Sequence, residues 1–351
     1  MSENTLSTRK WPLLLAAGAG AVFLSLRIRR AKRRMSFEGA SVVITGGSRG
    51  LGLEMARLFA QEGARLTLLS RKENELERAV RDLAAFDADV LVHPCDVRVR
   101  NQVDRAVDFI IEKRGRIDVL VNNAGVVEVS PFENLDLQDF ENDLAVHAWG
   151  PLFMIRAAVP HMIRQGGGRI VNISSVAGLV AVPHLASYTM SKSALVGLSD
   201  SLRAELSKDG IVSTTVAPGL MRTGSHVNAR YKGQHKKEFA WFAASEGIPL
   251  FSVSARRAAG KIVEACRYGD PILIIGYQAR LLHLANTLFP GLIASLMALA
   301  GRLLPAPAPS NGNKRYTGWE SRSDAAPSFL TRLADEAISR NNEGNGHVSG
   351  E

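Results

Sequence analysis

A tyrosine and a lysine near the middle of the chain are spaced to exchange a proton with a substrate. Tyr188 and Lys192 are four residues apart, which places both on one face of a helix. A phenol with a pKa near 10 is a weak acid at neutral pH, but a nearby ammonium favours the phenolate and lowers that pKa. Because an exposed helix pair is the commoner reason for this spacing, the pair needs support from other parts of the sequence.

A glycine-rich run supplies that support, because it has the features of a loop that binds a dinucleotide. The run follows an apolar strand-like segment and begins a helix-like one. Glycine allows a tight turn and a close approach of the backbone to a pyrophosphate, and the helix N-terminus offers free N–H groups to the anion. The residues of this loop are Thr45, Gly46, Gly47, Ser48, Arg49, Gly50, Leu51 and Gly52.

Short apolar segments alternate with helix-length segments through most of the chain. The predicted strands are residues 41–45, 65–70, 90–94, 119–122, 169–174, 212–217 and 272–275. Between them lie amphipathic segments such as residues 51–62, 73–84 and 99–113. Apolar strands separated by such helices indicate a parallel sheet that is covered on both faces. We therefore predict an α/β fold with a doubly wound parallel sheet, the Rossmann fold.

Taken together, the motifs resemble those of the short-chain dehydrogenase/reductase family in its membrane-associated form, over about residues 36–276. Besides the glycine loop and the Tyr188/Lys192 pair, three motifs carry the resemblance. They are Asn122-Asn123-Ala124-Gly125 after the fourth strand, Ser175 after the fifth, and Pro218-Gly219 with Thr223 after the sixth. The resemblance implies an NAD(P)-dependent enzyme that interconverts carbonyl and alcohol groups.

The same resemblance implies roles for individual residues. Ser175 hydrogen-bonds the substrate oxygen, Tyr188 exchanges a proton with that oxygen, and Lys192 also holds the nicotinamide ribose. Asp96 and Val97, after the third strand, match the adenine contact. Tyr188 is implied in cofactor binding as well, and the other positions are Gly46, Ser48, Arg49, Gly50, Leu51, Gly52, Asn123, Ala124, Gly125, Pro218, Gly219 and Thr223. Neither cysteine has a second Cys or a His at metal-ligand spacing, so we expect no metal site.

One position departs from the family pattern. On the helix after the fourth strand the family usually has an asparagine that anchors a water of the proton relay, in an Asn-x-x-Gly setting. Here that stretch reads His147-Ala148-Trp149-Gly150. Histidine can bond a water or transfer a proton itself, so His147 is a candidate catalytic residue. A slowed relay and a merely packed histidine are the alternatives.

Charge at the end of the second predicted strand favours NADP(H) over NAD(H). NAD enzymes of this fold generally place a carboxylate there to bind the ribose hydroxyls, whereas this strand ends at Ser70 and is followed by Arg71 and Lys72. Arg49 in the glycine loop adds a cation, and arginine suits bidentate binding of phosphate. We expect Arg49 and Arg71 to contact the 2′-phosphate.

Residues 1–35 combine an uncharged apolar run, residues 11–26, with a basic cluster that supplies much of the net charge of +9. Because this charge is local, it indicates a membrane surface as the partner, and we expect no nucleic acid. A helix of this length reaches about 24 Å, and flanking basic side chains can snorkel to the interface. We predict an N-terminal membrane anchor with the catalytic domain facing the cytoplasm. A signal peptide and a soluble amphipathic leader are the alternatives.

Four parts of the chain follow from these patterns. They are an anchor with its basic stop (1–35), the dehydrogenase domain (36–278), an apolar segment (279–304), and a Pro-rich linker with a largely disordered polar tail (305–351). Pro290-Gly291 interrupts the uncharged run 284–301, which is either a monotopic membrane insertion or a lid over the substrate cleft. Residues 329–339 form an amphipathic helix candidate within the tail.

The expected function is NADPH-dependent transfer of hydride between the nicotinamide and a hydrophobic carbonyl or secondary alcohol. The anchor and the apolar segment favour a lipophilic small molecule of steroid, retinoid, long-chain acyl or sphingoid type, with membrane lipid as a further partner. The alternative is a non-catalytic NADP(H)-binding scaffold or redox-sensing protein on the same fold. The complete set of Ser175, Tyr188 and Lys192 argues against that alternative. The sequence leaves a homodimer open.

Overall fold

The computed structural model describes residues 30–309, 311–323 and 331–344, together with residues 18, 20, 25, 27, 28, 326 and 328. Seven parallel strands form its central sheet: β1 (Ser41–Thr45), β2 (Arg65–Ser70), β3 (Val90–Pro94), β4 (Val119–Asn122), β5 (Gly168–Ile173), β6 (Ile211–Pro218) and β7 (Ile272–Ile275). Their order across the sheet is β3-β2-β1-β4-β5-β6-β7. The strand order reverses between β1 and β4, and ligands of doubly wound sheets bind at such a switch point.

Helices cover both faces of the sheet. In chain order they are α1 (Gly50–Gln61), α2 (Glu73–Leu83), α3 (Arg100–Arg114), α4 (Leu137–Leu144), α5 (Gly150–Arg164), α6 (Ala186–Glu205), α7 (His235–Gly247), α8 (Ala255–Tyr268), α9 (Tyr277–Leu288), α10 (Pro290–Leu303) and α11 (Arg332–Arg340). Val42 and Ile44 of β1 pack in one core with α1, α2 and α8, whereas Val43 packs in a second core with α3 and α5. The alternation follows from the two-residue period of a strand.

The prediction of a doubly wound parallel sheet is confirmed. The seven predicted strands are present, and the two that differ in their bounds, β5 and β6, do so by one residue at each end. Two short strands outside this sheet, Leu220–Arg222 and Ser252–Ser254, pair with each other in parallel. A second small sheet joins Glu128–Val129, Arg230–Tyr231 and Tyr316–Thr317.

Two apolar helices follow the last strand of the sheet. The chain breaks between α9 and α10 at Phe289, where Pro290 takes the first helical position and cannot continue a preceding helix. Large apolar side chains lie exposed on this pair: Leu281, Leu284, Leu288, Phe289, Leu292, Leu296, Leu299 and Leu303. Within the described residues, no helix has both the length and the apolar character that crossing a membrane requires. The predicted anchor, residues 11–26, lies mostly outside the described part of the chain.

The C-terminal segment differs from the prediction of a largely disordered tail. Tyr316–Thr317 pairs antiparallel with Arg230–Tyr231, and α11 packs against α7. Ala334, Ala337 and Ile338 are buried, and their spacing puts them on one face of α11. Although the tail is poor in apolar residues, α11 has one narrow apolar face, and the dehydrogenase domain covers that face.

Candidate active site

Ser175, Tyr188 and Lys192 meet at the carboxyl end of β5. Ser175 lies two residues after the last residue of β5, and its hydroxyl accepts a hydrogen bond from the Ala177 N–H at 3.1 Å. Tyr188 lies in the first turn of α6 and Lys192 in the next turn, with the lysine Nζ 5.6 Å from the centre of the tyrosine ring. Lys192 is buried, and its Nζ donates to the carbonyl of Ile173 at 2.9 Å. The three predicted side chains therefore share one site.

Burial controls the ionisation of this site. It raises the pKa of Tyr188 to about 12, although a hydrogen bond to Ser175 acts in the opposite direction. It also lowers the pKa of Lys192 to about 7, while the charge of Asp143 opposes this shift. We expected the pKa of Tyr188 to be lowered, but loss of hydration raises it and outweighs the hydrogen bond to Ser175. Tyr188 therefore keeps its proton at neutral pH and is suited to donate it.

His147 lies fully buried with its ring edge-to-face against Tyr188, the ring centres 5.4 Å apart. Its Nε2 accepts a hydrogen bond from the Val126 N–H at 3.1 Å. The proton is therefore on Nδ1, which donates to the Ser191 hydroxyl at 2.8 Å, and that hydroxyl donates to the Tyr188 carbonyl at 2.9 Å. Burial lowers the pKa of His147 well below its ordinary value, so the ring is neutral. With both nitrogens engaged, this geometry fits a histidine that positions the start of α6.

A widened helical turn accommodates this histidine. Residues Ala145–Trp149 form a π-helical turn between α4 and α5, and His147 is at its middle. Such turns insert an extra residue into an α-helix and occur frequently at functional sites. The inserted turn places the imidazole where it reaches both Val126 and Ser191.

The glycine loop and the motif after β4 hold each other in place. The Thr45 hydroxyl accepts hydrogen bonds from the N–H groups of Asn123 and Ala124 at 3.0 and 3.1 Å. The Asn123 amide in turn donates to the carbonyls of Thr45 and Gly46, both at 3.1 Å. A Cβ on Gly46 would lie 2.9 Å from the Ala124 Cα, and one on Gly52 would collide with the Gly46 carbonyl. The backbone can pack this closely only because glycine stands at both positions.

The start of α1 fits the phosphates of a dinucleotide. Its N-cap residue, Arg49, makes no side-chain cap, and Gly50 has a φ of +58°, in the left-handed region that favours glycine. A helix without a side-chain cap offers its first N–H groups to an external acceptor. The turn that joins β1 to α1 lies at the switch point between β1 and β4, and Leu51 and Gly52 follow Gly50 in the first turn of α1. The glycines of this turn and the Arg49 cation at its edge fit the phosphates of NAD(P)(H).

The remaining predicted residues lie at the same edge of the sheet. Asp96 and Val97 follow β3, and the Asp96 carboxylate is ion-paired with Arg98 at 2.6 Å. Pro218 ends β6, and the next residue, Gly219, donates its N–H to Ile275 at 2.9 Å. The same loop continues to Thr223, which is buried, and Gly125 lies in the separate loop after β4. The carboxyl ends of β1 to β6 thus supply all of the predicted contacts.

Sequence reasoning missed a carboxylate at the predicted 2′-phosphate end. Glu75, in the first turn of α2, is buried and accepts a hydrogen bond from the Ser48 hydroxyl at 3.3 Å. It is ion-paired with Lys72 at 3.1 Å and lies 3.8 Å from the Arg49 guanidinium, whereas Arg71 is exposed. The prediction considered only the last residues of β2. The first turn of the following helix lies at the same edge of the sheet, so a glutamate at position 75 could have been predicted to lie near the 2′-phosphate.

Comparison with known proteins agrees with this geometry. The family model for short chain dehydrogenase matches residues 40–233, more than half of the chain. Dehydrogenase/reductase SDR family member 7B is 30% identical over 296 residues in Danio rerio, covering 82% of this chain and 94% of that protein. In Bos taurus it is 33% identical over 310 residues, covering 84% and 91%.

Among solved structures, L-sorbose reductase from Gluconobacter frateurii, complexed with NADPH and L-sorbose, aligns with a TM-score of 0.62 at 27% identity. The alignment covers 69% of this chain and 97% of that one. Fold and site together define an NAD(P)-dependent oxidoreductase of the hydride-transfer type. The chain belongs to the short-chain dehydrogenase/reductase family.

Proposed function

We propose that the protein is an NADP(H)-dependent reductase of lipophilic carbonyl compounds that acts at a membrane surface. The observation that carries the substrate class is an apolar groove of about 540 Å³ beside the first turn of α6, which holds Tyr188. Val182, Pro183 and Met190 line it on one side, and Met297, Ala298 and Gly301 of α10 line it on the other. A groove with this lining favours long apolar groups over sugars or charged acids.

The wall of this groove also belongs to an exposed apolar surface. Leu296 and Leu299 of α10 flank the two groove residues Met297 and Ala298 and are about half exposed. A helix that presents apolar residues both to the groove and to its surroundings suits entry of substrate from lipid. Steroid, retinoid, long-chain acyl and sphingoid carbonyls share this chemistry.

The residues of the site support carbonyl reduction. NADP(H) supplies the hydride when it is bound. Ser175 hydrogen-bonds the substrate oxygen, and Tyr188 donates its phenolic proton to that oxygen as the alcohol forms. Because the pKa of Tyr188 is raised to about 12, the phenol carries this proton at neutral pH. Lys192 binds the nicotinamide ribose, with its Nζ already oriented by the Ile173 carbonyl.

The charges near the start of α2 support NADP(H) as the cofactor. Arg49, Arg71 and Lys72 surround the position expected for the 2′-phosphate, and Glu75 is the opposing carboxylate. Even with a second carboxylate, Glu343, which lies 3.4 Å from Arg49, the three cations outnumber the carboxylates and leave a net positive site for a phosphate. The L-sorbose reductase of similar fold was solved with NADPH.

A series of carbonyl compounds that differ only in the length of an apolar tail tests the substrate class. Ala298→Trp fills the groove and should raise KM for long-chain carbonyls at least about tenfold, with little effect on short ones. Leu299→Trp, an equally large residue at the next position and outside the groove lining, is the matched control. Preference for a polar sugar over every long-chain carbonyl would contradict the proposal.

Membrane attachment is tested by sedimentation of the full chain. Apolar burial is not screened by salt, so the protein should stay with membranes in a high-salt wash and leave them in detergent. If α9 and α10 enter the bilayer, a variant that lacks residues 1–35 stays bound as well. A soluble, monodisperse and active truncated variant would contradict attachment through α9 and α10 and favour a lid.

A further inference from the structure

The residues after α11 lie directly on the glycine loop. We call residues 341–343 the tail segment. The Asn341 carbonyl accepts a hydrogen bond from the Gly50 N–H at 2.8 Å. The Asn342 amide donates to the Ser48 carbonyl at 2.8 Å. A Cβ atom on Gly50 would lie only 2.5 Å from Oε1 of Glu343. The tail segment therefore fills the space over Gly50.

A carboxylate of the tail segment also engages the cation of the loop. Glu343 is buried, with its Oε2 3.4 Å from the Arg49 guanidinium. The same oxygen accepts a hydrogen bond from the Asn228 amide at 2.7 Å. An oxygen acceptor on the Gly50 N–H and a carboxylate on Arg49 make the contacts that phosphate oxygens would make there.

The other side of the cleft holds the same segment. The Asn341 side chain donates to the Thr223 carbonyl, in the loop after β6, at 2.9 Å. On α11, Asp335 is ion-paired with buried His226 at 3.1 Å, and Ile338 is buried. The segment thus bridges the glycine loop and the loop after β6, and α11 fixes it there.

We propose that the tail segment is a built-in competitor of the dinucleotide, which must leave the glycine loop before the cofactor binds. The inference rests on the proposed NADP(H) site at this loop. One N–H and one guanidinium cannot serve a peptide oxygen, a carboxylate and the cofactor phosphates together. The apparent affinity for cofactor is therefore reduced by the fraction of molecules whose loop is free.

A double substitution in the full chain, Asn341→Ala/Asn342→Ala, tests the competition. It removes the hydrogen bonds to Thr223 and Ser48, and it places alanine at a left-handed φ of +58° at position 342, which asparagine tolerates better. The Kd for NADPH, measured by fluorescence titration, should fall at least about tenfold, with kcat unchanged. Glu336→Gln is the control, because Glu336 is exposed on α11 and is ion-paired with Arg332. It should keep the wild-type Kd.

Hydrogen exchange of residues 332–343 gives an independent measurement. Saturating NADPH should speed exchange there in the wild type, because the displaced segment loses its hydrogen bonds. Slower exchange with NADPH and a weaker-binding double variant would show a clamp that closes over the cofactor, and would overturn the proposal. An unchanged Kd would overturn it too. If neither NADPH nor NADH binds any variant, the proposed function itself fails, and the competition fails with it.

Discussion

The two ends of the cleft are built in different ways. At the catalytic end, Ser175, Tyr188 and Lys192 come from one strand–helix unit, and their contacts join neighbouring parts of the chain. At the phosphate end, Ser48 is hydrogen-bonded to Asn342, a residue 294 positions later in the sequence. The catalytic end adjoins an open apolar groove, whereas the phosphate end is covered by the chain itself.

Charge follows the same division. At the catalytic end, burial disfavours the charged form of both reacting groups, because it raises the pKa of Tyr188 to about 12 and lowers the pKa of Lys192 to about 7. The phosphate end instead sets Arg49 against Glu75 and Glu343. The reacting groups are therefore prearranged, while access of a charged ligand depends on exchanging one set of ion pairs for another.

The largest expected effect is at the catalytic end. Tyr188→Phe should lower turnover at least about a hundredfold, the scale of a lost general acid, and leave NADPH binding nearly intact. Tyr277→Phe makes the same change at an exposed tyrosine and should leave turnover unchanged. Steady-state rates and fluorescence titration measure the two quantities. Wild-type turnover in Tyr188→Phe would contradict a mechanism in which Tyr188 donates the proton.

A smaller effect is expected at the phosphate end. Arg49→Ala/Arg71→Ala should raise the Kd for NADPH by about 10- to 100-fold, the scale of lost charged hydrogen bonds. The Kd for NADH should be largely unaffected. Glu75→Gln should strengthen NADPH binding, since it removes the opposing carboxylate. Arg81→Ala, at an exposed position on α2, is the control for loss of charge. An equal loss of affinity for NADPH and NADH would show that Arg49 and Arg71 do not bind the 2′-phosphate.

The smallest effect on turnover is expected at His147. His147→Ala leaves the Val126 N–H without a partner and removes one of the two hydrogen bonds of the Ser191 hydroxyl, which should cost about 1–3 kcal/mol of the free energy of unfolding and a few-fold in turnover. The pH profile of turnover should not change, because the wild-type ring is neutral. Loss of one limb of that profile would instead make His147 a proton-transfer residue. Denaturant unfolding and pH–rate curves separate the two roles.

Local features made the catalytic end and the sheet predictable from the sequence. The strand period, the glycine spacing and the four-residue separation of Tyr188 and Lys192 are all short-range patterns. The sign of the Tyr188 pKa shift was not predictable in this way, because it depends on how much water the fold removes. The tail on the glycine loop depends on contacts between distant parts of the chain, and no local pattern encodes them.

Transfer of a label from the cofactor tests the central claim most directly. NADPH that carries deuterium at the reactive C4 position is incubated with the wild-type enzyme and a long-chain carbonyl, and the alcohol is analysed by mass spectrometry. We predict one deuterium on the carbon that bears the new hydroxyl, with at least about a hundredfold less product from Tyr188→Phe. An alcohol without deuterium, or equal labelled product from both enzymes, would contradict hydride transfer at the Tyr188 site.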